Sequence, residues 1–575
     1  MFKIHLIPKG SKIEDAFLDL FATYTDENYL LRRRLIHFLF RFFQRHSVFN
    51  ESEVGHDIVC VEETKYYSES YVDDLVAYHT LSFKQRDKFC KRVHFFKRTC
   101  SAGTLGFHDN SSLESFLLST SGILSQLSDH YLGYIVIKPI EKFPIGAILA
   151  KPWSGKDDHN VLNINSILPE QISFFGIPID FDALVMQPQD ASVSLCTVNA
   201  IWCVLHFSWK KFRKSMVSPA KISQKSGISI EDGRMYPIGD RSGFTLKQVC
   251  ETLKAFDLQP EIYSLKDNNL STFDCVSQLK KIVYSYNSVV GIPLMLGYHY
   301  EGEHGTNDHL VAVTGYEFSQ TKTLSGRSYN LRSAQISKLV VHDDQFGPYA
   351  AIDIDSTLGA SFLSAHELYG NRNFAAQKAR PSVLVVALPE VIRIRYEAVE
   401  AIVEKFSSVL FPFKIKDKTL AELLPDIEWD IHLTESMALK AYYSKYIREQ
   451  LSEQNSEVLD KSSERWIKKL GLKIAFSSYP RFLWVARLKA GGESAGNHLM
   501  DIIIDPTGSP DGDCIYQMNF SFSFHLTLET IIPTLLASLP QDNTMPYRLF
   551  RLIKEELHRN DAKACFDNYH IHSAK

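Results

Sequence analysis

The chain has 575 residues, of which 45% are hydrophobic and 23% are charged, and its formal net charge is −4. A chain of this length exceeds what one hydrophobic core supports, so several domains are expected. The composition is that of a folded protein, and the charge balance provides no general attraction for nucleic acid or anionic lipid. Nucleic acid and membranes are therefore not expected partners.

The first third, residues 1–170, is predicted to be a mixed α/β domain. Helices are expected at 13–46 and 69–98, and a strand at 131–140. The basic stretch 84–98 is interpreted as the solvated face of a helix. The N-terminal residues alternate as in a strand and lack the apolar core of a signal peptide, and no segment has the uncharged length of a membrane span. A cytoplasmic location is expected.

The nine cysteines are scattered and odd in number, which is typical of reduced thiols rather than of a disulfide framework. Cys90, His94 and Cys100 suggest zinc, but a fourth ligand at the usual spacing is missing. The sequence also contains no glycine-rich loop for a nucleotide phosphate. We therefore predict neither a metal nor a cofactor.

The second segment, residues 171–388, contains the residues with catalytic potential. Cys196 precedes apolar residues that recur every three or four positions, namely Val198, Ile201, Trp202 and Leu205. This spacing predicts a buried amphipathic helix with Cys196 in its first turn, where the helix dipole and unpaired backbone N–H groups favour a thiolate. The same N–H groups would form half of an oxyanion hole, and Gln189 or Gln187 would complete it.

A histidine and two carboxylates follow at the ends of predicted strands. His309 is expected to open the apolar strand 309–316, and a strand at 339–342 is followed by Asp343 and Asp344. One of these carboxylates would accept the Nδ1–H of the imidazole and fix the tautomer that takes the thiol proton. A hairpin insertion is expected between the two strands.

The neighbouring histidines, His299, His304 and His342, are interpreted as surface residues. A metal site made of His299, His304, Asp308 and His309 is the alternative. These residues lack the helical i, i+4 pairing and the glutamate base of zinc hydrolases, so we do not expect an ion there.

The last third, residues 389–575, is predicted to be a separate α+β domain. A short strand is expected at 391–396, followed by helices near 397–410, 434–452 and 456–470, two strands and a helical tail. The stretch 509–513 has the composition of part of a calcium loop but not its ligand spacing, and a hairpin turn explains it better.

Several segments between about 185 and 355 follow one another in a recognisable order. Gln189 precedes Cys196, then come Gly-Phe-Thr-Leu at 243–246, a strand with Pro293, the run His-Leu-Val-Ala-Val-Thr-Gly-Tyr from His309, and Asp343 with a nearby glycine. This order resembles the papain-like cysteine peptidases and is most similar to the C39-like, bacteriocin-processing family. The glutamine lies seven residues ahead of the cysteine rather than six, and a threonine follows the cysteine.

The resemblance implies a role for each matching residue. Cys196 would be the nucleophile, His309 the general base, Asp343 the orienting acid and Gln189 the oxyanion donor. Asp344 and Gln187 stay open as alternatives to the last two.

The fold expected from this resemblance is a multidomain α+β protein, with a central papain-like cysteine peptidase domain flanked by two α/β or α+β domains. The expected function is a cysteine peptidase or isopeptidase that hydrolyses an amide bond in a peptide or protein, with a regulatory protein as a further partner. A papain-fold acyltransferase would use the same thiolate. A catalytically inactive scaffold or recognition protein is the third interpretation.

Overall fold

The computed structural model describes most of the chain in segments. These are residues 2–11, 57–76, 87–118, 127–140, 144–152, 161–188, 196–226, 244–265, 271–302, 305–319, 329–344, 347–354, 363–365, 378–416, 427–452, 461–490, 498–508, 514–539 and 545–560. The predicted helix at 13–46, the stretch 509–513, Gln189 and His304 lie outside them.

Helices and strands are interspersed along the chain, which is an α+β protein. The strands are β1 (Phe2–Ile7), β2 (Ile58–Tyr66), β3 (Cys90–Lys97), β4 (Thr99–Cys100), β5 (Gly103–Thr104), β6 (Tyr131–Ile137), β7 (Ile145–Ala150), β8 (Val161–Ile164), β9 (Leu168–Phe174), β10 (Ile177–Ala183), β11 (Val185–Met186), β12 (Gln259–Ser264), β13 (Leu294–Gly302), β14 (Gly305–Phe318), β15 (Asn330–Leu331), β16 (Ile336–Asp343), β17 (Gly347–Ile354), β18 (Leu363–Ala365), β19 (Lys378–Leu388), β20 (Glu428–Glu435), β21 (Phe482–Lys489), β22 (His498–Ile504) and β23 (Ile515–Phe520). The helices of the described residues are α1 (Glu69–Asp74), α2 (Asn110–Leu118), α3 (Leu127–His130), α4 (Cys196–Phe212), α5 (Pro219–Lys225), α6 (Leu246–Ala255), α7 (Thr272–Asn287), α8 (Tyr396–Lys416), α9 (Ser436–Gln450), α10 (Lys461–Phe476), α11 (Phe522–Ser538) and α12 (Met545–Asn560). Within the described ranges, none of these helices has the length and apolar character needed to cross a membrane.

The chain forms two compact units. The first comprises Met1–Leu279, Gly291–Gln320 and Ile336–Glu390, and the second comprises Lys280–Val290, Thr321–Gln335 and Val391–Lys575. The boundary predicted near residue 170 falls inside the first unit. The second unit includes two segments that sequence reasoning had assigned to the middle of the chain.

The first unit contains a six-stranded antiparallel sheet in the order β1-β2-β3-β6-β7-β11. The helix predicted over 84–98 is wrong, because Cys90–Lys97 form the central strand β3. Two of the basic residues of this stretch, Lys91 and Arg92, pair across the strands instead. Arg92 lies 2.8 Å from Glu63, and Lys91 lies 3.0 Å from Glu62.

A second sheet of the first unit closes on itself. Its order is β12-β19-β13-β14-β16-β17-β18, β8 pairs with β14, and β18 also pairs with β19, so that the strands from β19 to β18 form a ring. β14 and β16 are antiparallel, with Phe318 opposite Ile336. The chain between these two residues was expected to be a hairpin insertion. Strand β15 lies in this stretch, belongs to the second unit, and pairs in parallel with β20 of the same unit.

Helix α4 is the central helix of the first unit, and it packs against β11, β13, β14 and β16. The burial predicted for this helix is confirmed, but it is not limited to one apolar face, because all side chains from Thr197 to Ser208 are buried. A helix surrounded by protein needs no polar face. The indole of Trp202 donates to the carbonyl of Val217 at 2.8 Å, which holds α4 against the segment that follows it.

The second unit contains the sheet β15-β20-β21-β22-β23. Its strand register places four polar residues opposite one another in a row across β20 to β23: Asp430, Arg487, Asp501 and Asn519. All four are buried. α9 and α10 cover this face with an apolar cluster, so the row lies between sheet and helices.

The row is held together by charged hydrogen bonds. The guanidinium of Arg487 donates twice to Asp501, both times at 2.9 Å, and Asp501 also accepts from Tyr443 at 2.7 Å and contacts His498 at 3.0 Å. Burial by itself raises the pKa of Asp501, but Arg487 and His498 outweigh it and hold this pKa far below its usual range.

The short strand predicted at 391–396 is wrong. Residues 391–395 form no strand, and α8 begins at Tyr396. The backbone N–H groups of Arg393 and Ile394 both donate to the carbonyl of Pro506, which ties the segment to the end of β22 without a ladder.

Candidate functional site

Cys196 is the first residue of α4, and its side chain is half-buried. A helix begins with backbone N–H groups that have no partner within the helix, so an anion at this position is stabilised. The polar contact of its sulfur is Thr197 Oγ1 at 3.9 Å. Among the described residues, no hydrogen bond joins this sulfur to the ring of His309.

His309 and both predicted carboxylates lie together. The Nε2 atom of His309 is 3.3 Å from Asp343 Oδ1 and 3.1 Å from Asp344 Oδ1. Only the contact with Asp343 has the geometry of a hydrogen bond, and both oxygens of Asp344 are buried without a hydrogen-bond partner. Asp343 is therefore hydrogen-bonded to the imidazole, whereas Asp344 is close to it without a hydrogen bond.

The strand pairing explains why these residues meet. β13 and β14 are antiparallel with Tyr298 opposite His309, and β14 pairs with β16, whose last residue is Asp343. The Tyr298 hydroxyl donates to the second oxygen of Asp343 at 3.2 Å, and its ring stands edge-on to the imidazole. Asp343 is thus fixed from two sides.

The electrostatics of the cluster stabilise the imidazolium that forms when His309 accepts a proton. Burial by itself lowers the pKa of His309, but the negative carboxylates of Asp343 and Asp344 outweigh it and raise this pKa well above its ordinary value. Burial raises the pKa of Asp344, and the charge of Asp343 adds to this while His309 opposes it. Burial and the same carboxylate raise the pKa of the Tyr298 hydroxyl, which keeps its proton to donate.

Two expectations about His309 are corrected by the structure. β14 begins at Gly305, so His309 lies inside a strand and not at its opening, because the hairpin extends the ladder through the polar residues before it. The nitrogen that faces the carboxylates is Nε2 and not Nδ1. Nδ1 is therefore the ring nitrogen that can exchange a proton with a thiol.

The glutamine assignment rests on one described residue. Gln189 lies outside the described ranges, whereas Gln187 is buried and its amide nitrogen has no hydrogen-bond partner. A buried amide donor without an acceptor carries a desolvation cost, which a bound oxygen atom would offset.

Two thiol–imidazole contacts occur among the described residues of the first unit, and neither involves Cys196. The buried Cys203 sulfur is 3.8 Å from Nδ1 of His342, where burial raises the pKa of the thiol and lowers that of the imidazole to about 3. His342 was interpreted as a surface residue and is instead 4% exposed, because its strand faces α4. This pair is neutral and has a packing role.

The second contact joins Cys100 to His130. The half-buried sulfur of Cys100 is 3.5 Å from Nε2 and 3.6 Å from Nδ1, and Nδ1 donates to the carbonyl of Lys97 at 2.7 Å. A sulfur nearly equidistant from both nitrogens lies off the direction of either lone pair. The geometry is therefore poor for proton transfer.

Sequence reasoning missed the part played by Tyr298. Gly302 and Gly305 pair at the end of the β13–β14 ladder, and this antiparallel register places Tyr298 opposite His309. Two glycines this close in sequence are the signal that could have predicted the pairing.

A scan against models of known protein families finds no match for this chain, and a search of curated proteins finds none either.

Proposed function

We propose that the chain is a thiol hydrolase of the cysteine peptidase or isopeptidase type, with Cys196 as nucleophile and His309 as general base. The observation that carries this proposal is the contact of His309 Nε2 with Asp343, in a unit whose central helix begins at Cys196. A thiol at a helix N-terminus and an imidazole held by a carboxylate are the two parts that this chemistry requires.

The reaction assigns one role to each group. Nδ1 of His309 takes the proton of Cys196, and the thiolate sulfur attacks the amide carbonyl carbon. The backbone N–H groups at the start of α4 stabilise the oxyanion, with Gln189 or Gln187 as the side-chain donor. The imidazolium then protonates the leaving amine, and water hydrolyses the thioester to restore the thiol.

Asp343 positions the base in this scheme. Its Oδ1 accepts the Nε2–H of His309, and its Oδ2 accepts the Tyr298 hydroxyl. The tautomer with hydrogen on Nε2 leaves a lone pair on Nδ1, which is the atom needed to receive the thiol proton.

The proposed setting is cytoplasmic, with a peptide or protein as substrate. The cysteines of the described residues are all free thiols, as suits a reducing compartment. A regulatory protein partner remains part of the proposal, as does a papain-like fold for the segment around the site.

One observation favours the alternative of an inactive scaffold. The sulfur of Cys196 contacts Thr197 and forms no hydrogen bond with His309 in the described structure. An acyltransferase would use the same first step, and product analysis with an added amine separates it from a hydrolase.

The test is covalent labelling with a thiol-directed electrophile, located by peptide mass spectrometry. We expect rapid labelling of Cys196 that is lost in Cys196→Ala and retained in Cys100→Ala. Cys100 is the matched control, because it is also half-buried and its sulfur has an imidazole within 3.6 Å in a geometry that is poor for proton transfer. Labelling that is lost only in Cys100→Ala would place the reactive thiol elsewhere and refute the proposal.

A further inference from the structure

Three potential metal ligands converge where His309, inside β14, faces the end of β16. His309 Nε2 and one carboxylate oxygen each from Asp343 and Asp344 all lie within 4.8 Å of one another, and all three side chains are buried. The cluster is separate from the exposed contact between His299 and Asp308 on the same hairpin.

Hydrogen bonding leaves one member of the cluster without a donor. The single Nε2–H of His309 is directed to Asp343, and the Tyr298 hydroxyl also donates to Asp343. Neither oxygen of Asp344 has a hydrogen-bond donor, although the side chain is only 2% exposed. A carboxylate removed from water without a hydrogen-bond donor is costly, and a divalent ion would be a stronger partner for it than the imidazole 3.1 Å away.

The spacing of the three groups fits a small divalent ion. Ligand atoms about 2.1 Å from an ion and separated by 3.1 to 3.3 Å, as Nε2 is from the two carboxylates, subtend roughly 95 to 104° at the ion. These angles lie between octahedral and tetrahedral values. One imidazole nitrogen with two carboxylate oxygens is a donor set of the kind that Zn²⁺ and Mn²⁺ accept.

We propose that His309, Asp343 and Asp344 form a binding site for a divalent transition-metal ion, with Zn²⁺ as the ion that fits best. The ion takes the place of the hydrogen on Nε2, which goes to solvent if the imidazole is doubly protonated and moves to Nδ1 if it is neutral, and one oxygen of Asp344 then coordinates the ion. The Tyr298 hydroxyl, which donates to Asp343 Oδ2, would orient that ligand as hydrogen bonds to metal ligands commonly do.

The ion would also control the thiol chemistry, and this part rests on the proposed function. A neutral imidazole bound to metal through Nε2 carries its hydrogen on Nδ1. Nδ1 then has no lone pair to accept the proton of Cys196, so the metal-bound form lacks a general base. Zn²⁺ is therefore expected to be a reversible inhibitor of the reaction at Cys196.

Binding is measured first, by equilibrium dialysis of the full chain against Zn²⁺ after chelator treatment. The measurement uses the Cys196→Ser chain, so that this thiol cannot contribute a ligand. We expect one ion per chain, with affinity at least tenfold weaker after Asp344→Asn or Asp343→Asn and unchanged after Asp308→Asn. Asp308→Asn is the matched control because it alters the neighbouring carboxylate–imidazole contact outside the cluster.

Circular dichroism and the thermal midpoint of metal-free protein show whether each variant folds. Because Asp343→Asn and Asp344→Asn are tested separately, the site can still be tested if one of them fails to fold. Less than one ion per chain overturns the site, as does an unchanged affinity in the folded Asp344→Asn or Asp343→Asn chain. A loss of binding in Asp308→Asn would place the ion at the other contact and overturn it as well.

The inhibitory role is measured with the Cys196 chain and an alkylating probe. Zn²⁺ at a saturating concentration should slow alkylation of Cys196 at least tenfold, whereas the rate in Asp344→Asn should not respond to the same concentration. Binding without any slowing would refute the inhibitory role. Absence of Cys196 alkylation in metal-free protein would instead refute the proposed function, while one ion per chain would still support the site.

Discussion

The charged row in the second unit makes a quantitative prediction about stability. Asp501 is 0% exposed and accepts two hydrogen bonds from Arg487, with Tyr443 as a further donor. Removing one partner of a buried ion pair costs about 3–5 kcal/mol, because the other charge is left uncompensated. Arg487→Leu and Asp501→Leu should each lower the free energy of unfolding by about that amount.

The double variant, with both Arg487→Leu and Asp501→Leu, should lower the free energy of unfolding by less than the sum of the two single variants. With both charges gone, the remaining penalty is the loss of an acceptor by Tyr443 and His498, at about 1–3 kcal/mol each. The singles sum to about 6–10 kcal/mol and the double to about 2–6 kcal/mol, so the coupling energy is about 4 kcal/mol.

The assay is urea unfolding followed by fluorescence, since Trp429 and Trp484 are buried in the same sheet. Arg481→Leu is the matched control, because Arg481 precedes the same strand and pairs with Glu435 at 3.3 Å with its side chain 53% exposed. That exposed pair should contribute at most about 1 kcal/mol. Equal costs for Arg487→Leu and Arg481→Leu, or additive single effects in the cycle, would refute the reasoning.

Three further predictions concern the first unit. Asp343→Ala should slow alkylation of Cys196 in metal-free protein roughly 10- to 150-fold, because it removes a charged hydrogen bond of about 1.5–3 kcal/mol. Asp344→Ala should slow it less, since only Asp343 is hydrogen-bonded to the imidazole. The opposite ranking would assign the orienting role to Asp344. Burial lowers the pKa of His94 to about 4, so unfolded chains bind a proton that folded ones do not. The contribution of His94 to the free energy of unfolding should therefore fall by about 1.4 kcal/mol per pH unit from pH 6.5 towards 4, in addition to the contributions of His206 and His342, whose pKa burial lowers to about 3. Urea titrations of His94→Gln should show a slope that is shallower by about this amount, and an identical slope would contradict the prediction. Gly291→Ala should destabilise by at least about 2 kcal/mol more than Gly176→Ala, because both glycines have positive φ but an added Cβ meets the Asn165 carbonyl oxygen at 2.2 Å only at Gly291; similar midpoints in thermal melts would contradict this.

Local sequence patterns located the start of the central helix but not its surroundings. The apolar spacing after Cys196 predicts a helix, and α4 does begin at that residue. The same spacing cannot show that the helix is buried on all sides, because this depends on strands more than a hundred residues away in the chain. The periodicity of apolar residues describes a single helix, whereas the burial of that helix depends on the elements around it.

The stretch 84–98 shows how cross-strand pairing overrides a local pattern. Its apolar residues fit a helical period, but Lys91 and Arg92 form ion pairs with carboxylates on β2. Strand β2 provides both the carboxylates for these ion pairs and the backbone hydrogen bonds of the sheet. The sequence of the stretch itself does not show which segment will pair with it.

The acid partners of His309 could be narrowed down from the sequence only to a pair. Asp343 and Asp344 both follow an apolar run, and one residue of register separates them. The choice depends on Tyr298, which fixes Asp343 alone, and Tyr298 reaches that position through the β13–β14 register.

The most direct test of the proposed reaction compares the rate of covalent modification of Cys196 in metal-free wild-type protein and in His309→Asn, with the modified peptide identified by mass spectrometry. If His309 takes the proton of Cys196, the rate should fall at least roughly 100-fold in the variant, in line with the contribution of a positioned general base. Equal rates in the two folded proteins would contradict the account, because they would show that Cys196 reacts without the imidazole.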